Sequence, residues 1–267
     1  MCIRDRSQET PAGAQVYFGI REHAQAASLV GMAQHGGVLP VSGTFLVFAD
    51  YMRPSIRLAA MSKSKCVFVF SHDSVGVGED GPTHQPIEQL MSLRTIPGLQ
   101  VIRPADANET VAAWAQALSF DGPTALILSR QGLEVLGNGS QKVQDGVYEV
   151  LPASDPDVIL LATGSEVGLC LEAAEVMNAS EISARVISAP NWQQLSSDTD
   201  KRDSLMAGEA PVLSVEAGVT LGWHRFSDAA IGIDRFGMSG PGDEVMAELG
   251  LNVANVVSAA KALLEAS

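Results

Sequence analysis

The chain has 267 residues, of which 46% are hydrophobic and 18% charged; that is enough apolar material for a buried core and excludes wholesale disorder. Acidic residues outnumber basic ones 31 to 17, giving a net charge of −14 that no local basic stripe reverses, so binding to nucleic acid is excluded as a function class. No apolar run reaches the ~18 residues of a membrane span, and the charged front is not followed by the apolar segment of a secretory leader. Cys2, Cys66 and Cys170 lie far apart without a CxxC pair. Cys66 and Cys170 sit in apolar runs and read as small core residues, as expected in the reducing cytoplasm.

Residues 1–6 (MCIRDR) have neither periodicity nor a cap signal. They match a translation of ATG TGT ATA AGA GAC AGR, which resembles the end of a transposase adaptor used in sequencing libraries. On that reading Met1 is not a biological start and the gene is cut at its 5′ side. Glu22–His35 reads as a helix carrying Ala24, Ala27, Leu29 and Val30 and stopping at Gly36-Gly37. Glu22, within GIREH, sits at its start, where the helix dipole favours a carboxylate. In VSGTFLVFADYMRP (41–54), Phe45, Phe48 and Tyr51 are spaced i, i+3, i+6. On a helix they share a face, a pattern that by periodicity alone indicates core.

Cys66–Phe70 (CVFVF) is a continuous apolar run, as expected of a strand buried on both faces. It is followed by SHDSVGVGEDGPTHQP (71–86), where three glycines predict a tight irregular loop. Ligands of open α/β sheets bind at the carboxyl ends of strands. His72, Asp73, Asp80 and His84 therefore stand where a site should be, the alternative being a solvated acidic loop. Asp106 with Glu109 forms a capping box for a helix to Leu118, and Thr124–Ser129 is the next strand. A Gly-, Ser-, Pro- and Asp-rich break at 136–157 separates a second series. That series has strands at Val158–Ala162, Arg185–Ser188 and Val212–Val215. Strand–helix alternation predicts an α/β fold with two parallel-sheet domains, 7–137 and 158–267, joined by a linker at 138–157. Gly164 and Ser165 in ATGSE occupy a strand-to-helix turn that reads as a helix cap, with anion binding as the alternative.

YFGIREHA, SGTFLVFADYMRPSIRLAA, SHDSVGVGEDGPTHQPIEQL, VIRPAD and DGPTALILSRQ resemble the corresponding stretches of transketolases in order and spacing. The resemblance continues through ILLATGSEV, SVEAG, DRFGMSGPGDEV and LGLNVANVV, covering about residues 15–265. TFLVFADYMRP and THQPIEQL set it apart from deoxyxylulose-phosphate synthase, which shares the thiamine chemistry. The resemblance implies a pyrimidine-binding domain, truncated at its N-terminal side, followed by a transketolase C-terminal domain. It also implies thiamine diphosphate held against the diphosphate-binding domain of a partner subunit in a homodimer, with Mg²⁺ or Ca²⁺ bound by that other domain. The activity implied is transfer of a two-carbon ketol unit between sugar phosphates.

Residue by residue, the resemblance makes Glu22 the carboxyl that shares a proton with the aminopyrimidine ring. A raised pKa in an apolar pocket would suit it to activate the cofactor. Phe45, Phe48 and Tyr51 become a wall for the pyrimidine, with Phe48 the direct contact. His84 stabilises a developing alkoxide and moves protons; Asp80 reads a donor hydroxyl; His72 and Arg130 hold the sugar phosphate. No GDG sequence, the family's metal-binding signature, occurs in the chain. Two expectations follow: a fragment inactive alone, or the subunit of a split enzyme. A non-catalytic dimerisation module is a third, weighed down by the presence of Glu22, Asp80 and His84 together.

Overall fold

A computed structural model describes residues 5–136 and 146–266. Residues 1–4 of the adaptor-like stretch, 137–145, which hold the start of the linker, and 267 lie outside the described residues. In the first unit, β1 (Val41–Phe45), β2 (Val67–Ser71), β3 (Gln100–Ile102) and β4 (Thr124–Ile127) form a wholly parallel sheet in the order β1-β2-β4-β3. Helices α1 (Glu22–His35), α2 (Ala49–Met61) and α3 (Gln89–Arg94) cover one face, and α4 (Ala107–Ser119) covers the other. The pleat explains the apolar run of β2: Phe68 and Phe70 enter the α1–α3 layer while Val67 enters the α4 layer. Each fully buried phenylalanine contributes about 1.5–3 kcal/mol by leaving water.

The local signals work as anticipated at two helix ends. Gly36, at φ +82°, closes α1 by donating its N–H to the Met32 carbonyl at 3.1 Å. Asp106 caps α4, accepting the Glu109 N–H at 2.7 Å. The returning Glu109 carboxylate reaches the N–H of Ala105 at 2.6 Å, one residue before the cap.

The second unit contains β5 (Tyr148–Leu151), β6 (Val158–Ala162), β7 (Ala184–Ser188), β8 (Val212–Val215) and β9 (Ala229–Ile231) in the order β5-β7-β6-β8-β9. All pair in parallel except β5, which runs antiparallel to β7. Thus 148–151, read as linker, is an edge strand of the second sheet. Tyr148 is buried and the other three residues half-buried, and the strand lacks the continuous apolar run that marks the central strands. Helices α5 (Glu166–Asn178), α8 (Gly242–Glu248) and α9 (Val253–Ala266) cover one face. Trp192 of α6 (Trp192–Ser197), Trp223 and Phe226 fill the other, with Leu205 of α7 (Thr199–Leu205) at its margin.

The two units share their cores. Val75 and Ile87 pack into the α5 side of the second core, and Met91 packs with Trp192 and Trp223. Backbone bonds cross the junction too: Arg103 N–H to Pro190 O at 2.9 Å, and Val219 N–H to Ile87 O at 3.0 Å. Among the described residues no helix is long and apolar enough to cross a membrane.

Candidate functional site

The carboxyl ends of the first sheet converge. Phe45 ends β1, His72 follows β2, and Arg130 lies shortly beyond β4. Phe45, Phe48 and Tyr51 do not share one helix: the chain passes from β1 through a 3-10 turn (Leu46–Phe48) into α2. An Ser-Gly pair inside an edge strand hides this from a helical-period reading. The rings nonetheless form a row, with Phe45 and Phe48 stacked at 6.0 Å and 11°, and Phe48 6.3 Å from Tyr51.

Two histidines join the row. His72 lies face-on against Phe45, and His84 presents an edge to Phe45 at 6.3 Å and to Phe48 at 5.5 Å. His72 Nδ1 pairs with Ser71 Oγ and His84 Nδ1 with Thr83 Oγ1, each at 2.9 Å, leaving both Nε2 atoms for a ligand. Partial burial and then the nearby Arg130 guanidinium lower the His72 pKa below the ordinary histidine value, while Asp80 and Asp73 pull it up. Arg130, Asp80 and His84 therefore each lie within electrostatic reach of His72.

Glu22 stands on the first turn of α1, half-buried, and its carboxylate has no hydrogen-bond partner among the described residues. The helix is tied to β1 by Gln25 Nε2, which donates to the Gly43 carbonyl at 3.2 Å. This ties the first turns of the helix that carries Glu22 to the strand that ends at Phe45.

The glycines of the 71–86 loop serve the junction. Gly78 has φ +82°, and a β-carbon there would lie 3.0 Å from the Gly240 carbonyl. Gln85 Nε2 pins the loop through the carbonyls of Val75 (3.2 Å), Gly78 (3.0 Å) and Met238 (2.9 Å). Asp73 points away from the histidines into the junction, where it receives Arg103 Nε at 2.9 Å.

Arg103 is wholly buried and also bonds Glu166, the Thr163 carbonyl (2.9 Å) and Thr163 Oγ1 (3.0 Å). A neighbouring pair, Arg94 and Glu216, is bidentate at 2.7 Å, with Glu216 also accepting Trp223 Nε1 at 3.0 Å and Thr163 Oγ1 at 2.5 Å. Burial alone would raise the Glu216 pKa, but Arg94 beside it holds it at about 2. Sequence reading passed over Arg94, Arg103, Glu166 and Glu216. The available signal was a charged residue directly after a buried strand, as in QVIR and VLSVE. At the Gly164-Ser165 turn, Ser165 stands at the N-cap position of α5 but makes no capping hydrogen bond, its hydroxyl donating to Glu166 at 2.7 Å instead, while the Arg103 guanidinium covers Gly164.

Two cavities lie away from the aromatic row. One of about 610 Å³ adjoins Arg94, Trp192 and Arg225, and one of about 470 Å³ is edged by Glu134, Glu172 and Asp243. The aromatic row is an open wall instead, with Tyr51 63% exposed.

Residues 3–135 match the family model for the transketolase pyrimidine-binding domain, and 146–252 match that for the transketolase-like C-terminal domain. A transketolase of Geobacillus stearothermophilus is 50% identical over 94% of this chain and 40% of its own length. The structure of transketolase from Leishmania mexicana superposes with a TM-score of 0.93 at 41% identity, over 98% of this chain and 39% of that one. A split-gene transketolase, described as an inactive β4 tetramer, has the same fold: TM-score 0.81 and 23% identity, over 98% of this chain and 90% of that one. The chain spans about 40% of the length of the curated relatives it matches.

Proposed function

This chain belongs to the transketolase family, and from that premise we propose that it supplies the pyrimidine-binding half of a cytoplasmic enzyme moving two-carbon ketol units between sugar phosphates. The observation that carries this reading is the open row of Phe45, Phe48 and Tyr51 with His72 and His84 packed on it, at the carboxyl end of a parallel sheet.

The residues present fit thiamine diphosphate. Phe45, one face of which is taken by His72, and Phe48 are half-buried and offer an aromatic wall suited to a flat heteroaromatic ring, and the Glu22 carboxylate suits a ring nitrogen. Bound there, the cofactor supplies the carbon nucleophile that takes up the two-carbon unit. The Glu22 carboxyl exchanges a proton with that ring nitrogen. His84, fixed through Nδ1 by Thr83, uses Nε2 to bond the reacting oxygen and move a proton. Asp80 accepts a hydrogen bond from a donor hydroxyl. His72 and Arg130 hold the phosphate, for which the planar guanidinium fork is suited. The divalent metal would be held by the diphosphate-binding domain.

That domain, in a homodimer, would meet the first unit. Tyr17 (71%), Ile20 (93%), Val38, Leu39, Tyr51 and Met61 of that unit are exposed, and exposed apolar side chains suit a protein interface. A second arrangement, a split-enzyme subunit, is favoured by the split-gene neighbour, a separate chain of nearly the same extent. One assay tests both. The chain is incubated with thiamine diphosphate, Mg²⁺, xylulose 5-phosphate and ribose 5-phosphate, with and without a transketolase diphosphate-binding domain. Activity only on addition of that domain supports the proposal. Silence in both arms, with association of the two chains demonstrated, overturns it for this chain.

A further inference from the structure

His72 has φ +60°, a left-handed backbone conformation that a residue with a β-carbon keeps only where its surroundings hold it. On one side the holding group is the Phe45 ring, whose centroid lies 3.6 Å from that of the imidazole at an interplanar angle of 17°. On the other side is the next residue, Asp73, whose carboxylate accepts both Nε (2.9 Å) and Nη2 (2.8 Å) of Arg103. Arg103 is itself immobilised by the second unit through Thr163 and Glu166, and Glu166 is fixed by the Ala217 N–H at 2.9 Å. Asp73, Arg103, Thr163, Glu166 and Ala217 are each at most 2% exposed, so water does not compete for these bonds, whereas His72 and Phe45 are half-buried.

We infer that Asp73 and Arg103 are positioning residues for His72, and that the C-terminal unit, through Thr163 and Glu166, supplies half of the clamp that sets the phosphate-holding histidine. The second unit is then part of the substrate site without touching substrate. This rests on the proposed role of His72 in holding sugar phosphate, but the geometry of the clamp is separately measurable.

The test is the position of the His72 ring signals in NMR spectra of the 267-residue chain, assigned with a His72→Gln variant. Stacking on Phe45 displaces the imidazole proton signals upfield through the aromatic ring current. Glu166→Gln, made in the other unit, and Asp73→Asn, made at the near end, are each expected to move the His72 signals downfield, toward those of the exposed His23 and His35. A purely stabilising network would lower the melting temperature and leave the folded-state signals where they were. Unmoved His72 signals in whichever variant folds overturn the inference. The proposed function fails differently: in the assembled enzyme, an unchanged KM for sugar phosphates in His72→Ala would remove His72 from the phosphate site while leaving the clamp intact.

Discussion

A β-carbon on Gly164 would stand 2.5 Å from Cζ of Arg103. Gly164 also has φ +57°, so both its backbone and its lack of a side chain are required by the guanidinium lying over it. Gly164→Ala is therefore expected to destabilise the chain by about 2–4 kcal/mol, combining backbone strain with displacement of a buried ion pair. Urea denaturation monitored by tryptophan fluorescence measures this. A change under about 0.5 kcal/mol would show that the junction yields to accommodate a methyl group.

Acid should act on the junction through Glu216. Its folded pKa, about 2, lies below the ordinary 4.5, so its contribution is complete above about 4.5 and is lost as the pH falls toward 2. The loss is on the order of 3 kcal/mol. Glu109 works in the opposite sense, because burial raises its pKa against hydrogen bonds from Tyr148, Ser188 and Ala105. The comparison that isolates Glu216 is wild type against Glu216→Gln, in which Glu109 cancels. Denaturation curves from pH 6 to pH 2.5 should show a steeper loss in the wild type; parallel profiles would contradict the assignment.

Arg130 and Glu22 should separate in kinetics with the assembled enzyme. Arg130→Ala is expected to raise the KM for sugar phosphates about 10- to 100-fold, the loss of a charge-assisted hydrogen bond, with a smaller effect on kcat.

Glu22→Gln keeps the size of the side chain and removes its proton chemistry. Turnover should fall by at least about 10²-fold, while binding of thiamine diphosphate, followed by fluorescence quenching, changes little. Near-normal turnover would discard the proton-exchange role.

Both described cysteines should resist thiol reagents. Burial pushes the Cys66 thiol up to about 12 and raises that of Cys170 as well, so neither forms the reactive thiolate at neutral pH. Labelling of Cys66 and Cys170 by a disulfide reagent, located by peptide mapping, should require denaturant. Rapid native labelling of either would show that its unit opens readily.

The central strands were legible because both faces are covered: VFVF and VILLA contain no polar position to confuse the period. β1 was not, since Val41-Ser-Gly-Thr-Phe45 lies at an edge, where one side of the backbone needs no packing partner. β3 and β9 span three residues each, too few for any periodicity to register. The histidines of the site could be read from a loop following a buried strand. The ionic junction could not, because Arg94 and Glu216 are 122 residues apart and each alone looks like an ordinary surface charge.

That junction changes what counts as a separable piece of this protein. The two sheets share no strand, and their boundary looks like a natural place to cut or recombine. Yet Arg94, Arg103 and Glu109 find their partners in Glu216, Glu166, Tyr148 and Ser188 across it. A hybrid built from the first unit of one relative and the second unit of another inherits whatever charges those positions carry. It is expected to fold well only when the two sets match, so the heritable module is the pair of units with its shared charges.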